Sequence, residues 1–390
     1  MVWLAYDTDL AFIYRNYTRV VFGVNSVNDT GSEVDYLKCS RAFIVTDKGV
    51  KEAGLVEKVE KALGSRLVGM FDECPQDSGY HIVAQAAEMA REAGADCLVS
   101  VGGGSVIDTA KGMAILLKEG GDLHDYCGYQ LLTRPQTPHI AIPTTAGTGS
   151  EVTYFFVIKD WERNQKIEYG DDYIIPNTAI LDPVMTRSLP PMLTATTGMD
   201  ALTHAIEAIH ATPREPISDT MAFGAIRLMM EYLPRCVENG DDLFARGQQQ
   251  IAATMAGIAF GNAQVGLVHG IAHTVGAICG VPHGLANSIL LPHVMEYNLD
   301  ESAEYYAFVA EAMGVKEKGM SDEEAAEAAI NAVWELTRRM GVPQRLSEVG
   351  VTEDVLPQLA DKTLEDGSCV FNPKMIFDAE QVLEVLKKAF

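Results

Sequence analysis

The chain has 390 residues, 47% of them hydrophobic and 22% charged, so it is long enough to bury a sizeable core without covalent staples. Thirty Lys and Arg stand against 54 Asp and Glu, a net charge of −24. That sets aside nucleic acid and anionic membrane as partners, because both present phosphates that the chain repels. In chain order, residues 41–46 are β-rich and end at Asp47. Residues 56–63 read as helix, and 81–93 form an Ala/Met-rich helix. Residues 97–101 are a short buried strand running into Gly102-Gly103-Gly104, and 106–118 are helical again. Residues 139–142 and 178–181 are further short strands. Strands alternating with helices predict parallel β/α units. From Leu193 to about Lys388 the helical period dominates, and Pro190-Pro191 punctuate the change. The expected architecture is an α/β dinucleotide-binding domain over residues 1–189 and an all-helical, metal-binding domain over 190–390.

The seven cysteines are scattered and include no CxxC pair, as expected of free thiols in a cytoplasmic protein. Residues 1–7 show neither the basic nor the apolar region of a leader, and no stretch approaches a membrane span.

Two loops point to an anionic cofactor. Gly102-Gly103-Gly104-Ser105-Val106 links a strand to a helix, with Ser105 and Asp108 spaced as a capping box. Glycines admit a phosphate to the backbone, and the helix start offers free N–H groups. Pro143-Thr144-Thr145-Ala146-Gly147-Thr148-Gly149 follows another strand and gathers hydroxyls that can bond phosphate, ribose or amide. A bare strand-to-helix turn and a polar surface loop are the plainer alternatives. Together the two loops favour a dinucleotide. Asp47, ending an early strand, suits both ribose hydroxyls and repels a 2′-phosphate, which favours NAD over NADP; it can equally just open its turn.

A second constellation lies in the helical half. Asp200 and His204 are spaced to share one helix face, as are His269 and His273, and His283 falls in a loop after Gly280. Five of the nine histidines fall in these two windows, His293 included. A lone carboxylate on an apolar helix needs a counter-charge. Three imidazoles and a carboxylate suit Fe(II), Zn or a similar ion and leave room for a substrate oxygen. Asp200, His204, His269 and His283 are therefore the candidate ligands, with a metal-free Asp–His network as the alternative.

Residues 101–111, 143–153, 198–208 and 269–293 resemble the iron-containing alcohol dehydrogenases, and the likeness runs from Phe22-Gly23 to Asn372-Pro373. The resemblance implies an NAD-linked alcohol dehydrogenase or aldehyde reductase, with Fe(II) foremost among the possible divalent metals. It implies that Asp200, His204, His269 and His283 hold the metal. Asp47, Gln76, Gly102, Gly103, Gly104, Ser105, Val106, Asp108, Thr144, Thr145, Thr148 and Lys166 are expected along the NAD. Gln76 departs from the family's usual asparagine at an adenosine-side contact. His273 resembles the family's extra histidine and is the candidate proton relay. Phe155, Phe260 and Cys279 are candidate pocket walls, with core packing of the Tyr154–Phe156 aromatics the alternative for Phe155. Relatives of this kind are usually homo-oligomers. Two other readings share the features: a dehydroquinate synthase-like lyase, whose phosphate-bearing substrate calls for basic residues missing from the ligand windows, and a non-catalytic NAD or metal sensor.

Overall fold

The computed structural model describes Tyr6, residues 9–161 and residues 165–390. The first residues, read above for a leader, lie outside that set except for Tyr6. The chain divides into two compact units: a sheet unit of Arg15–Leu189 with Asp241–Gln250, and a helical unit of Met1–Tyr14, Pro190–Gly240 and Ile251–Phe390. The contiguous division at 189/190 therefore differs from these units in two short segments, 1–14 and 241–250.

The sheet unit contains β1 (Arg19–Phe22), β2 (Ala42–Thr46), β3 (Leu67–Phe71), β4 (Cys97–Gly102), β5 (Gly128–Tyr129), β6 (His139–Pro143), β7 (Phe155–Asp160), β8 (Gln165–Gly170) and β9 (Thr178–Leu181). Its helices are α1 (Thr30–Tyr36), α2 (Lys48–Glu52), α3 (Val56–Leu63), α4 (Tyr80–Glu92) and α5 (Gly104–Glu119). Six strands form a parallel sheet in the order β1-β9-β6-β4-β2-β3. Side chains alternate across it. Phe43, Val45 and Leu98 pack with Val83, Ala86, Ala110 and Met113 of α4 and α5. Ala42, Ile44, Val99, Val101 and Ile142 pack on the other face with Val34, Val56, Val59 and Leu63 of α1 and α3. Both faces are covered, which is why these strands read as continuous apolar runs. A smaller sheet, β5-β8-β7, carries the antiparallel hairpin of β7 and β8.

The helical unit contains α6 (Pro191–His210), α7 (Pro216–Glu238), most of α8 (Leu243–Ala263), α9 (Leu267–Cys279), α10 (His283–Met313), α11 (Asp322–Arg339), α12 (Leu356–Thr363) and α13 (Ala379–Ala389). Pro191 suits the first turn of α6, where its missing N–H has no partner to lose. Nearly every residue of α6 from Thr194 onwards is buried, so its polar members Asp200, His204 and Glu207 lie inside the protein. A Cβ on Gly198 would meet Leu233 of α7 at 2.1 Å, so glycine lets these two helices approach closely. Among the described residues, no single helix is long and apolar enough to cross a membrane.

Candidate active site

In the sheet unit the chain passes from β2 outward to β3, then returns to place β4 on the other side of β2. Open α/β sheets bind ligands at such a reversal, beyond the carboxyl ends of the strands. Asp47 follows β2 and Gly103 follows β4, so both stand at this reversal. Val50 N donates to Asp47 Oδ1 at 2.8 Å, so this carboxylate caps α2 with one of its oxygens.

The two glycine-bearing loops come together. Thr144 N donates to Gly102 O at 3.0 Å. A Cβ built on Gly103 would meet Thr145 at 3.3 Å, and one on Gly104 would meet Thr148 at 2.9 Å. A Cβ on Gly102 would strike Val106 at 2.6 Å, so the turn closes only on glycine. Ser105 Oγ accepts from Asp77 N at 3.2 Å, and Asp77 pairs with Lys166 at 2.9 Å. Lys166 is thereby linked through Asp77 to the helix start, while Gln76, next to Asp77 in the chain, is exposed.

The capping box expected of Ser105 and Asp108 does not form. Gly103 is the N-cap and no side chain caps α5. Asp108 instead points into the protein, accepting Ser150 Oγ at 2.6 Å and Val157 N at 3.1 Å. These long-range donors outcompete the local one, and burial pushes the carboxyl up. Asp108 thus anchors the end of the Thr/Gly loop from within. Lys111, one turn on, is also buried; its ammonium donates to Thr153 O, Thr153 Oγ1 and Phe155 O. Burial lowers its pKa to about 8. Phe155 is half-buried against Tyr154, whereas Phe156 lies fully in the core.

In the helical unit, Asp200 of α6, His269 of α9 and His283 of α10 converge, each offering one ligand atom within 4.8 Å of the others. Asp200 Oδ1 lies 3.5 Å from His283 Nε2 and 3.9 Å from His269 Nε2. A divalent ion with bonds of about 2.1 Å sets tetrahedral ligand atoms roughly 3.4 Å apart, so the spacing fits one. His283 opens α10 rather than lying in the preceding loop, where the sequence placed it. His204 is not in the convergent set: its ring stacks 4.1 Å from Phe260 and 4.5 Å from His269. The stack keeps the His204 ring beside that of His269, next to the convergent set.

The donor chemistry also calls for a cation. Asn287 Nδ2 lies 2.7 Å from Asp200 Oδ1 and 3.2 Å from both His269 Nε2 and His283 Nε2. Its two hydrogens cannot serve three acceptors. His269 Nδ1 meets Glu207 Oε2 at 2.5 Å, and Val268 N donates to the other Glu207 oxygen at 2.8 Å. Burial pushes the Glu207 carboxyl up to about 7 and drives the His269 imidazole well down. His273 Nδ1 meets Asp366 Oδ2 at 2.9 Å, and its ring stacks 5.2 Å from that of His283. Burial works to raise Asp366, but His273 and the hydrogen bonds from Ser368 together outweigh it and hold the carboxyl low. Cys279 closes α9, half-buried, with its thiol raised by burial.

Residues 17–183 match the family profile described as iron-containing alcohol dehydrogenase, and residues 194–390 match the Fe-containing alcohol dehydrogenase family, C-terminal. The chain belongs to the iron-containing alcohol dehydrogenase family. Among its relatives is an NAD-dependent methanol dehydrogenase of Bacillus methanolicus, 38% identical over 95% of this chain and 97% of the relative. A lactaldehyde reductase of Escherichia coli is 38% identical over 90% of this chain and 93% of the relative. A solved 1,3-propanediol oxidoreductase superposes with a TM-score of 0.95 at 37% identity, covering 98% of this chain and 100% of that one.

Set among these dehydrogenases, four residues carry site geometry that the sequence reading left without a role: Lys111, Glu207, Asn287 and Asp366. Glu207 was within reach of sequence reasoning, since it follows Asp200 by seven positions and so shares its helix face. Asp366 had no local signal. It lies 93 residues from His273.

Proposed function

We propose that this member of the iron-containing alcohol dehydrogenases is an NAD-linked, metal-dependent enzyme interconverting short alcohols and aldehydes. The observation that carries the reading is the convergence of Asp200, His269 and His283 with His269 held from behind by Glu207. Asp200, His204, His269 and His283 would hold the ion, and Fe(II) is the proposed metal. When bound, the cation polarises the oxygen of alcohol or aldehyde, and NAD exchanges hydride with the carbon that bears it.

The chain's own residues do the rest. The Gly102–Gly104 turn admits the pyrophosphate, with Ser105, Val106, Thr144, Thr145 and Thr148 around it. Asp47 offers its second oxygen to the adenosine ribose and repels a 2′-phosphate. Lys166, Gln76 and Asp108 stand close by, Asp108 acting through Ser150. His273, oriented by Asp366, carries the substrate hydroxyl proton outward. Phe155 and Phe260 are the proposed pocket walls. The names of the relatives, which include methanol, propanediol and lactaldehyde, support a small substrate.

The same reading places the enzyme in the cytoplasm as a homo-oligomer. None of its seven cysteines is in a disulfide. β1 lies at the sheet edge with Val20 and Phe22 exposed, a surface that a second copy can cover. Light scattering on the purified chain checks the oligomer.

The test of function is anaerobic purification, metal analysis, and NADH oxidation with a panel of short and aromatic aldehydes, using NADPH as control. Activity should vanish with the metal and return with Fe(II). A protein that holds no metal, or turns over no aldehyde with any metal restored, sinks the reading.

A further inference from the structure

We propose that Asn287 is a positioning residue for the metal: its amide fixes the Asp200 carboxylate and gathers the donor atoms of Asp200, His269 and His283 into one set. The inference rests on the ligand assignment above. Asn287 follows His283 by one helical turn on α10 and so shares its face. It is completely buried.

Its Nδ2 is 2.7 Å from Asp200 Oδ1, closer than the 3.2 Å to either imidazole. The carboxylate is also the charged acceptor, and charge-assisted hydrogen bonds are the shorter and stronger ones. Asp200 therefore takes one amide hydrogen, which leaves one for two imidazole nitrogens. The Asn287 Oδ1 is buried with no hydrogen-bond partner. An idle buried carbonyl is destabilising, and a leucine of similar shape would not carry it. What the amide supplies in return is a donor aimed at the ligand set. A hydrogen bond to Oδ1 restricts how far the Asp200 carboxylate can turn. Without the bond Asp200 is free to turn about its side-chain torsions, and the set has to be assembled when the ion arrives. Groups that orient ligands in this way typically contribute 10–100-fold to metal affinity.

The experiment is titration of the metal-stripped full-length protein with Co(II), followed by visible absorption and by competition with a chelator. Asn287→Leu is expected to weaken Co(II) binding by about 10–100-fold and to change the band positions, because the ligand field reports the orientation of Asp200. A residue that only packs α10 would leave the bands where they are. Asn287→Ser serves if the leucine variant does not fold; it is expected to shift the bands in the same way. Asp200→Ala runs in parallel and is expected to abolish binding. Parental affinity and bands in the Asn287 variants, alongside lost binding in Asp200→Ala, overturn the role of Asn287 and leave the ligand set standing. Normal Co(II) binding by Asp200→Ala overturns the ligand assignment, and the proposal with it.

Discussion

His269 Nδ1 and Glu207 Oε2 lie 2.5 Å apart, with both side chains almost wholly out of solvent. One nitrogen of the imidazole is thereby committed, and the lone pair of the other is turned to Asp200 and His283. A carboxylate behind a ligating histidine fixes its tautomer and raises its basicity. Glu207→Gln keeps the shape but lets the amide turn its nitrogen to His269. Metal affinity is expected to fall by about 10–100-fold, as measured by chelator competition. An unchanged affinity refutes the role assigned to Glu207.

Gly284 bears on the same centre through packing. A Cβ there would meet the Thr196 carbonyl oxygen at 2.6 Å, and that atom belongs to the backbone of α6. Gly284→Ala must therefore push the start of α10, and His283 with it, away from α6. A loss of about 1–3 kcal/mol in stability is expected from overpacking. Weaker metal binding should accompany it, both read from melting curves with and without metal.

At the dinucleotide loops the obstacle is softer. A Cβ on Gly104 meets the Thr148 methyl at 2.9 Å, and that side chain can rotate. Gly104→Ala should fold normally but move Thr148 and crowd the phosphate approach. The NADH dissociation constant, from fluorescence titration, is expected to rise about tenfold, equivalent to about 1.4 kcal/mol.

His139 offers a pH test remote from both loops and metal. Burial, with Lys111 adding to it, depresses this imidazole to about 3. The fold therefore keeps it neutral while the unfolded chain takes up a proton near the ordinary 6.5. Stability from this group is fully present above about pH 6.5 and is lost as pH falls from there towards 3, where the unfolded state binds more protons. His139→Gln can retain the bond to Ser100, which is 2.7 Å in the parent. Its acid limb should be shallower over that window in urea denaturation at stepped pH. Parallel limbs in the two proteins rule His139 out.

The pair of His273 and Asp366 predicts a kinetic effect. Asp366→Asn removes the negative charge from the group that meets His273 Nδ1, so the histidine loses some stabilisation of its charged form. The pH profile of kcat should shift towards lower pH, and His273→Ala should flatten it. Full activity with an unchanged profile in His273→Ala rules out the relay.

Much of this was legible in the sequence wherever neighbours along the chain are also neighbours in space. The turn at Gly102–Gly104 follows a buried strand, and Asp200 and Glu207 follow the helical period, so strand, helix and ligand face were all readable. Asp108 shows where that logic fails. A local cap three residues away lost to Ser150 and Val157, more than 40 positions downstream. The ties of Glu207 to His269 and of Asp366 to His273 span 62 and 93 residues, distances over which no periodicity operates. Lys111 was hidden for another reason: a lysine on an amphipathic helix is expected to face water, and only the fold reveals the carbonyls that hold it inside.

The division of the chain has a bearing on how the protein is made. Its path passes between the two units four times, at 14/15, 189/190, 240/241 and 250/251. The sheet unit thus lacks ten of its residues until the ribosome has passed position 250, although its last strand ends at Leu181. The helical unit, for its part, draws residues from both sides of the Arg15–Leu189 segment. No single cut yields two complete halves, and the sheet unit gains its last ten residues only after Pro190–Gly240 of the helical unit has been made. The order of synthesis therefore interleaves the two units.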